Sequence, residues 1–304
     1  MNTPNTEQLP VVATIRVGAK PGSVAVTVSN QIFVTNSGAN TVSVIDPLTN
    51  TVSATIDVGL RPEGVATDPQ FGVCVANGGD NSVSMIDRSN AVIATVSIQG
   101  FFMPPPDMMS VAVDHFLSRA YVTNRGSGRV SIVNLSGEVH FAHDFINIPG
   151  PLGVAVDPAS HRVYVTQPDF NAVSVIGPGT DGVIATIPVR QQPTDIVVDA
   201  LRRRVYVANS GANTVSVIDM DSHDPADISV TAGSAGVAVD SRGHAYVTQF
   251  DGTVKVIDAT SHSVSTSIPV GSQPKGLAFE PRSDRLYVAN SGDGTVSAID
   301  LRRQ

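Results

Sequence analysis

Residues 205–219 read VYVANSGANTVSVID, and residues 32–46 read IFVTNSGANTVSVID. The stretch SGANTVSVID recurs unchanged far along the chain. So faithful an echo marks one structural unit used repeatedly. Working outward, two small or apolar residues followed by Asn or Gln recur at Val34-Thr35-Asn36, Val75-Ala76-Asn77, Val122-Thr123-Asn124, Val165-Thr166-Gln167, Val207-Ala208-Asn209, Val247-Thr248-Gln249 and Val288-Ala289-Asn290. These are seven copies, each roughly 40 residues from the next.

Four strand-like runs fill each copy. In the fifth they are TDIVVD (194–199), RVYVAN (204–209), TVSVID (214–219) and DISVTAG (227–233). Val, Ile, Tyr and Thr suit a pleated, packed surface. Asp-Pro, Ser-Gly-Ala-Asn and similar clusters between the runs form turns. No helical period competes. Four strands per copy, seven times over, predict an all-β fold: a seven-bladed β-propeller with four antiparallel strands per blade. The chain ends on a third run, TVSAID (295–300), and opens on a fourth run, VVATIRVG (11–18). The N-terminal strand is therefore expected to pair into the last blade and close the ring, which removes free sheet edges. The propeller spans 11–300, with short tails at 1–10 and 301–304.

Composition narrows the function. The chain has 304 residues, 15% charged, with a formal net charge of −8. Nucleic-acid binding and adhesion to anionic membranes both need clustered Lys and Arg, so neither is expected. The single cysteine, Cys74, excludes an intrachain disulfide and, between two valines, reads as core filler. No signal-like or membrane-spanning run is visible, so a cytoplasmic location is expected. A closed ring hides no edge in a partner, so a monomer is expected.

The motifs YVTN, YVAN, NTVSVID and ATIPV closely resemble the YVTN family of seven-bladed β-propellers, over nearly the whole chain. That resemblance implies the fold. For function it implies little, because the family mixes surface-layer and secreted proteins with proteins of unknown role.

Propeller geometry turns columns of the repeat into surfaces. First strands line the channel. Loops from fourth strand to first, and from second to third, share one face, here the top. On the bottom, first strands end in Thr27, Asp68, Asp114, Asp157, Asp199, Asp240 and Glu280. Such a ring could suggest a cation. Repetition in nearly every blade favours turn capping, and no metal or cofactor is expected. His115, His161, His223, His244 and His262 fall in bottom turns, and His140 and His143 in an outer strand. None sits over the channel, so neither a histidine base nor a zinc site is expected there.

The top breaks the repeat in three places. The loop QGFFMPPPDMMS (99–110) carries Phe101, Phe102, Met103, Asp107, Met108 and Met109 around three prolines. It reads as a ligand lid, a protein contact or a plug. The column opening the first strands is Ser23, Gly64, Ser110, Gly153, Asp195, Gly236 and Gly276. Asp195 alone is charged, a candidate general base or cation anchor. Blades four and six carry Gln167 and Gln249, closely followed by Phe170 and Phe250. Lys20, Arg61, Glu63, Arg125, Arg129, Arg190 and Lys275 add mixed charge to the rim. Aromatic and amide groups on one rim suit an apolar small molecule or a protein or peptide. The leading expectation is a binding propeller. An acid–base or template enzyme (cyclase, isomerase, lyase or lactone hydrolase) and a structural or surface repeat protein are the alternatives.

Overall fold

A computed structural model of the chain describes residues 9–98, 110–136, 144–178 and 182–302. Seven four-stranded antiparallel sheets make the blades of a propeller. Blade one comprises Pro21–Val26, Ile32–Asn36, Thr41–Asp46 and Thr51–Asp57. Blade two comprises Pro62–Asp68, Gly72–Asn77, Ser82–Ile86 and Val92–Ser97. In blade five the fourth strand is Pro225–Ser229, starting two residues before the expected run.

Burial explains the composition of each strand. Second and third strands are buried on both faces, as in Ile32–Asn36 and Gly72–Asn77. Near-continuous Val and Ile runs suit them, because blades pack against both faces. Fourth strands lie outermost and alternate, as in Thr51–Asp57. The core is correspondingly divided among seven apolar clusters, one in each seam between adjacent blades. Phe33 and Val44 of blade one, for example, meet Val65, Val73 and Ile86 of blade two.

The ring closes as the sequence predicts. Val11–Arg16 pairs antiparallel with Thr295–Asp300, matching Ile15 to Val296. The packed unit reaches slightly further, since Leu9 and Leu301 are both buried in the seam between blades six and seven.

The repeated motif has a physical reason at each letter. In blades one, three, four and six the threonine of the second strand accepts a hydrogen bond from its own first strand. The donors are the N–H groups of Ser23, Ser110, Gly153 and Gly236. The same hydroxyls donate to the next blade's first strand, at the carbonyls of Glu63, Leu152, Thr194 and Lys275. Blade five has Ala208 there, and Thr194 takes over, donating to the carbonyls of Ala208 and Ser234. The asparagine ties second strand to third: the Asn36 amide donates to Thr41 and Ser43, and Asn209 to Thr214 and Ser216. This is why NTVSVID travels with the asparagine.

Candidate functional site

The bottom carboxylates hold turns. Asp68 accepts from the N–H groups of Gln70 and Phe71, Asp157 from Ala159 and Ser160, and Glu280 from Arg282 and Ser283. Two histidines reach back one blade to these caps: His115 Nδ1 lies 3.2 Å from Asp68, and His161 Nδ1 3.0 Å from Asp114. Among the described residues no three His, Cys, Asp or Glu side chains form a metal-holding group. Cys74 is buried, and its thiol is pushed up to about 12 by burial and, secondarily, by the nearby Asp68 charge. It is inert as a nucleophile at neutral pH.

The first strands crowd together at the top of the channel. A Cβ on Gly236 would lie 2.5 Å from the Lys275 carbonyl oxygen, and one on Gly276 would lie 2.7 Å from that of Gly22. Small residues in this column are thus a packing requirement. Asp195 stands in the same column of blade five. Its Oδ2 accepts a 2.9 Å hydrogen bond from the Val237 N–H of blade six. Val237 follows an irregularity in its strand pairing, where the ladder skips between Ser234 and Val237. The carboxylate thus bridges two blades at a break in the sheet. Burial raises its pKa to about 6, against the opposing pull of the Val237 and Ile196 N–H groups.

The other rim residues separate into two groups. Gln167 and Gln249 are buried and bonded inside the blades. Gln167 donates to the Pro149 carbonyl and accepts from Ser174; Gln249 accepts from the Ala232 N–H and donates to Ser234. Gln167 thereby keeps a tie to the third strand, whereas Gln249 bonds to the first strand of its blade and the loop before it. Phe170 and Phe250 stay 58% and 61% exposed on the top loops of blades four and six, one on each side of the Asp195 blade. Among the charges, Arg61 pairs with Glu63 at 2.7 Å, Arg125 with Asp169 at 2.7 Å and Arg190 with Asp227 at 2.5 Å. Arg129 stacks over Phe145 at 3.9 Å. Lys20 and Lys275 are exposed. The loop expectations on Phe101, Phe102, Met103, Asp107, Met108 and Met109, and those on His140 and His143, lie outside the described residues.

A feature absent from the sequence reading lies on the bottom. A cleft of about 480 Å³ opens between blades one and two, lined by residues that include Gln31, Phe33, Asp68, Val73, Asp87 and Arg88. The signal was present in the second-strand column: blade one has Gln31 and Phe33 where blades three, four, five and seven have an arginine and a tyrosine.

No protein-family model matches the chain, and no curated protein does. Solved structures do. A chain of Kuenenia stuttgartiensis hydrazine synthase aligns with a TM-score of 0.82 at 16% identity, covering 100% of both chains. Virginiamycin B lyase from Staphylococcus aureus aligns with a TM-score of 0.79 at 12% identity, covering 95% of this chain and 98% of the lyase. The Cps50 (Swd1) β-propeller domain of Myceliophteria thermophila aligns with a TM-score of 0.79 at 10% identity, covering 96% and 99%. At such identities the likeness extends to the fold alone: this chain is a seven-bladed β-propeller, built like proteins of quite different roles. Among the described residues no helix is long and apolar enough to cross a membrane.

Proposed function

We propose that the chain is a ligand- or partner-binding propeller, of the YVTN-repeat kind, that works through its top face. The observation that carries this reading is Asp195. It is the charged member of a column otherwise restricted to Gly and Ser, and its carboxylate reaches across to blade six. Exposed Phe170 and Phe250 on the flanking blades supply apolar surface. A carboxylate between aromatics suits a small molecule or peptide with an apolar body and one polar, proton-donating group.

One observation favours an enzymatic second reading. A carboxyl with a pKa of about 6 has the proton affinity that general acid–base chemistry uses near neutral pH. One similar propeller, from Staphylococcus aureus, is a lyase by name. No histidine of this chain's described residues joins Asp195, so an acid–base step here would rest on the carboxyl and on substrate positioning.

The test is a thermal-shift screen against lactones, amines and short peptides, run on the wild type and on Asp195→Asn. Binding to the folded state raises the melting temperature by mass action. A compound that stabilises the wild type and fails on the variant supports the top-face site. Equal stabilisation of both moves the site away from Asp195. Turnover of a hit that disappears in the variant, with binding retained, favours the enzyme.

A further inference from the structure

Three bottom seams share one arrangement, and the seam between blades one and two lacks it. In three seams an arginine at the start of one blade's second strand reaches the turn between third and fourth strands of the next blade. Arg285 Nη1 donates to the Pro47 carbonyl at 2.8 Å, Arg162 to that of Met220 at 3.2 Å, and Arg204 to that of Ala259 at 3.5 Å. A tyrosine two residues on packs into the same seam: Tyr287, Tyr164 and Tyr206. The turn also offers a side chain. Asn50 Oδ1 accepts from Arg285 and from the Tyr287 hydroxyl, and His262 Nε2 meets Arg204. Between blades six and seven Arg242, from a neighbouring turn, donates to the Leu301 carbonyl.

Blade one has Gln31 and Phe33 in place of the arginine and tyrosine. The glutamine carries no charge, and the phenylalanine has no hydroxyl. The turn they face, Asp87-Arg88-Ser89-Asn90, keeps its acceptors. Asn90, like Asn50, is in the left-handed region, with φ of 68° and 53°, in a turn one residue shorter. Asn90 Oδ1 is buried without a hydrogen-bond partner. Asp87 caps its turn through Oδ1, which accepts from Ser89 and Ala91. Arg88, in the cleft wall, is turned to the Pro69 carbonyl. The cleft itself is the space that opens here, with Phe33 and Val73 in its apolar lining and Asp68 and Asp87 as carboxylates. Blade two also lacks the pair, with Gly72 and Cys74, but the turn that follows Asn134 and Leu135 opposite it runs outside the described residues.

We propose that this cleft is a guanidinium site. It receives a guanidinium on a slender stem, from a small alkylguanidine or from an arginine of another protein, in the place that Arg285, Arg162 and Arg204 fill in their own seams. The guanidinium donates to the Arg88 carbonyl, with Asp87 as counter-charge. Its stem lies along Phe33. Planar, forked donors suit several acceptors held in one turn, as an ammonium does not. This site is independent of the top face.

Calorimetric titration of the full chain with N-acetyl-arginine amide tests it, with N-acetyl-citrulline amide as the uncharged isostere. The expected result is saturable binding of the arginine compound, at least tenfold tighter than the citrulline one. The double variant Gln31→Arg with Phe33→Tyr restores the pair seen in other blades; it abolishes binding and raises the melting temperature. Asp87→Asn keeps a capping oxygen and weakens binding at least fivefold, so the proposal stays open to refutation if the double variant fails to fold. Methylguanidine and a short arginine peptide then separate the sources. Similar affinity for both assigns a small molecule, and a peptide at least tenfold tighter assigns a partner's side chain. Equal binding of the arginine and citrulline compounds, no binding of either, or unchanged affinity in the folded double variant overturns the proposal.

Discussion

On the bottom of the ring, Glu280 turns its carboxylate onto the N–H groups of Arg282 and Ser283, two and three residues ahead. On the top, Asp195 sends its carboxylate across to Val237 of the next blade. Both are acids of a first strand, Glu280 at its end and Asp195 near its start. The first belongs to a series repeated around the ring and closes its own turn. The second has no counterpart in the other blades. Repetition in a propeller therefore marks what every blade needs to fold, and a solitary charge marks something one blade does differently. The two acids should respond to substitution in different ways.

The largest expected effect is at Glu280. Its side chain is fully buried, and it also accepts from the Ser283 hydroxyl. Glu280→Ala leaves those donors unsatisfied, at a cost of about 3 kcal/mol in unfolding free energy. Glu280→Gln keeps an acceptor and costs less. Chemical denaturation measures both. A loss below about 0.5 kcal/mol for the alanine variant, the level of an ordinary surface change, would break the view that bottom carboxylates serve the fold.

Asp195 should show itself through pH. Its folded pKa of about 6 exceeds the value near 3.9 of an unfolded aspartate. Between those values the folded state holds the proton more firmly. The group's contribution therefore favours folding at about pH 4 and is lost as pH rises through about 6. Asp195→Asn removes this dependence. The variant is expected to exceed the wild type by about 2 kcal/mol at about pH 8 and to match it near pH 4. A difference that stays flat across this range would place Asp195 with the structural acids.

Gln249 sharpens the comparison from the other side, because it is an irregularity that serves the fold. Its amide is fully buried between the Ala232 N–H and the Ser234 hydroxyl. Gln249→Ala should lower stability by about 1 to 2 kcal/mol, the loss of a buried hydrogen-bonded amide. Top-face binding should survive in the folded variant. Thermal unfolding and a titration with any hit from the screen give both answers.

The fold was legible because each blade writes its strands in the same letters: Val, Ile and Tyr for packing, Asn and Ser for the tie between second and third strands. Turn capping by Asp68, Asp157 and Glu280 was legible for the same reason. Gln167 and Gln249 look like rim substitutions in the sequence because the longer side chain gives no hint that its amide is bonded inside its own blade. The bottom cleft went unread because its cause is an absence. Gln31 and Phe33 are unremarkable strand residues until Arg285 and Tyr287 are seen filling the neighbouring seam.

The smallest effect on stability carries the most information about the top face. Phe170 and Phe250 are mostly exposed, so Phe170→Ala should shift unfolding by no more than about 0.5 kcal/mol. Phe250 lies against the backbone at Gly233, where a Cβ would come within 2.6 Å of its ring. Phe250→Ala should therefore cost slightly more than Phe170→Ala, still under about 1 kcal/mol. If the two rings flank a ligand over Asp195, each alanine weakens binding several-fold, and the double variant weakens it by roughly the product, because the rings sit on separate blades. Intact binding in the double variant would remove the aromatics from the site and leave Asp195 to define it alone. A loss of binding without a loss of stability would divide the top face from the bottom in the sense that Glu280 and Asp195 first suggest.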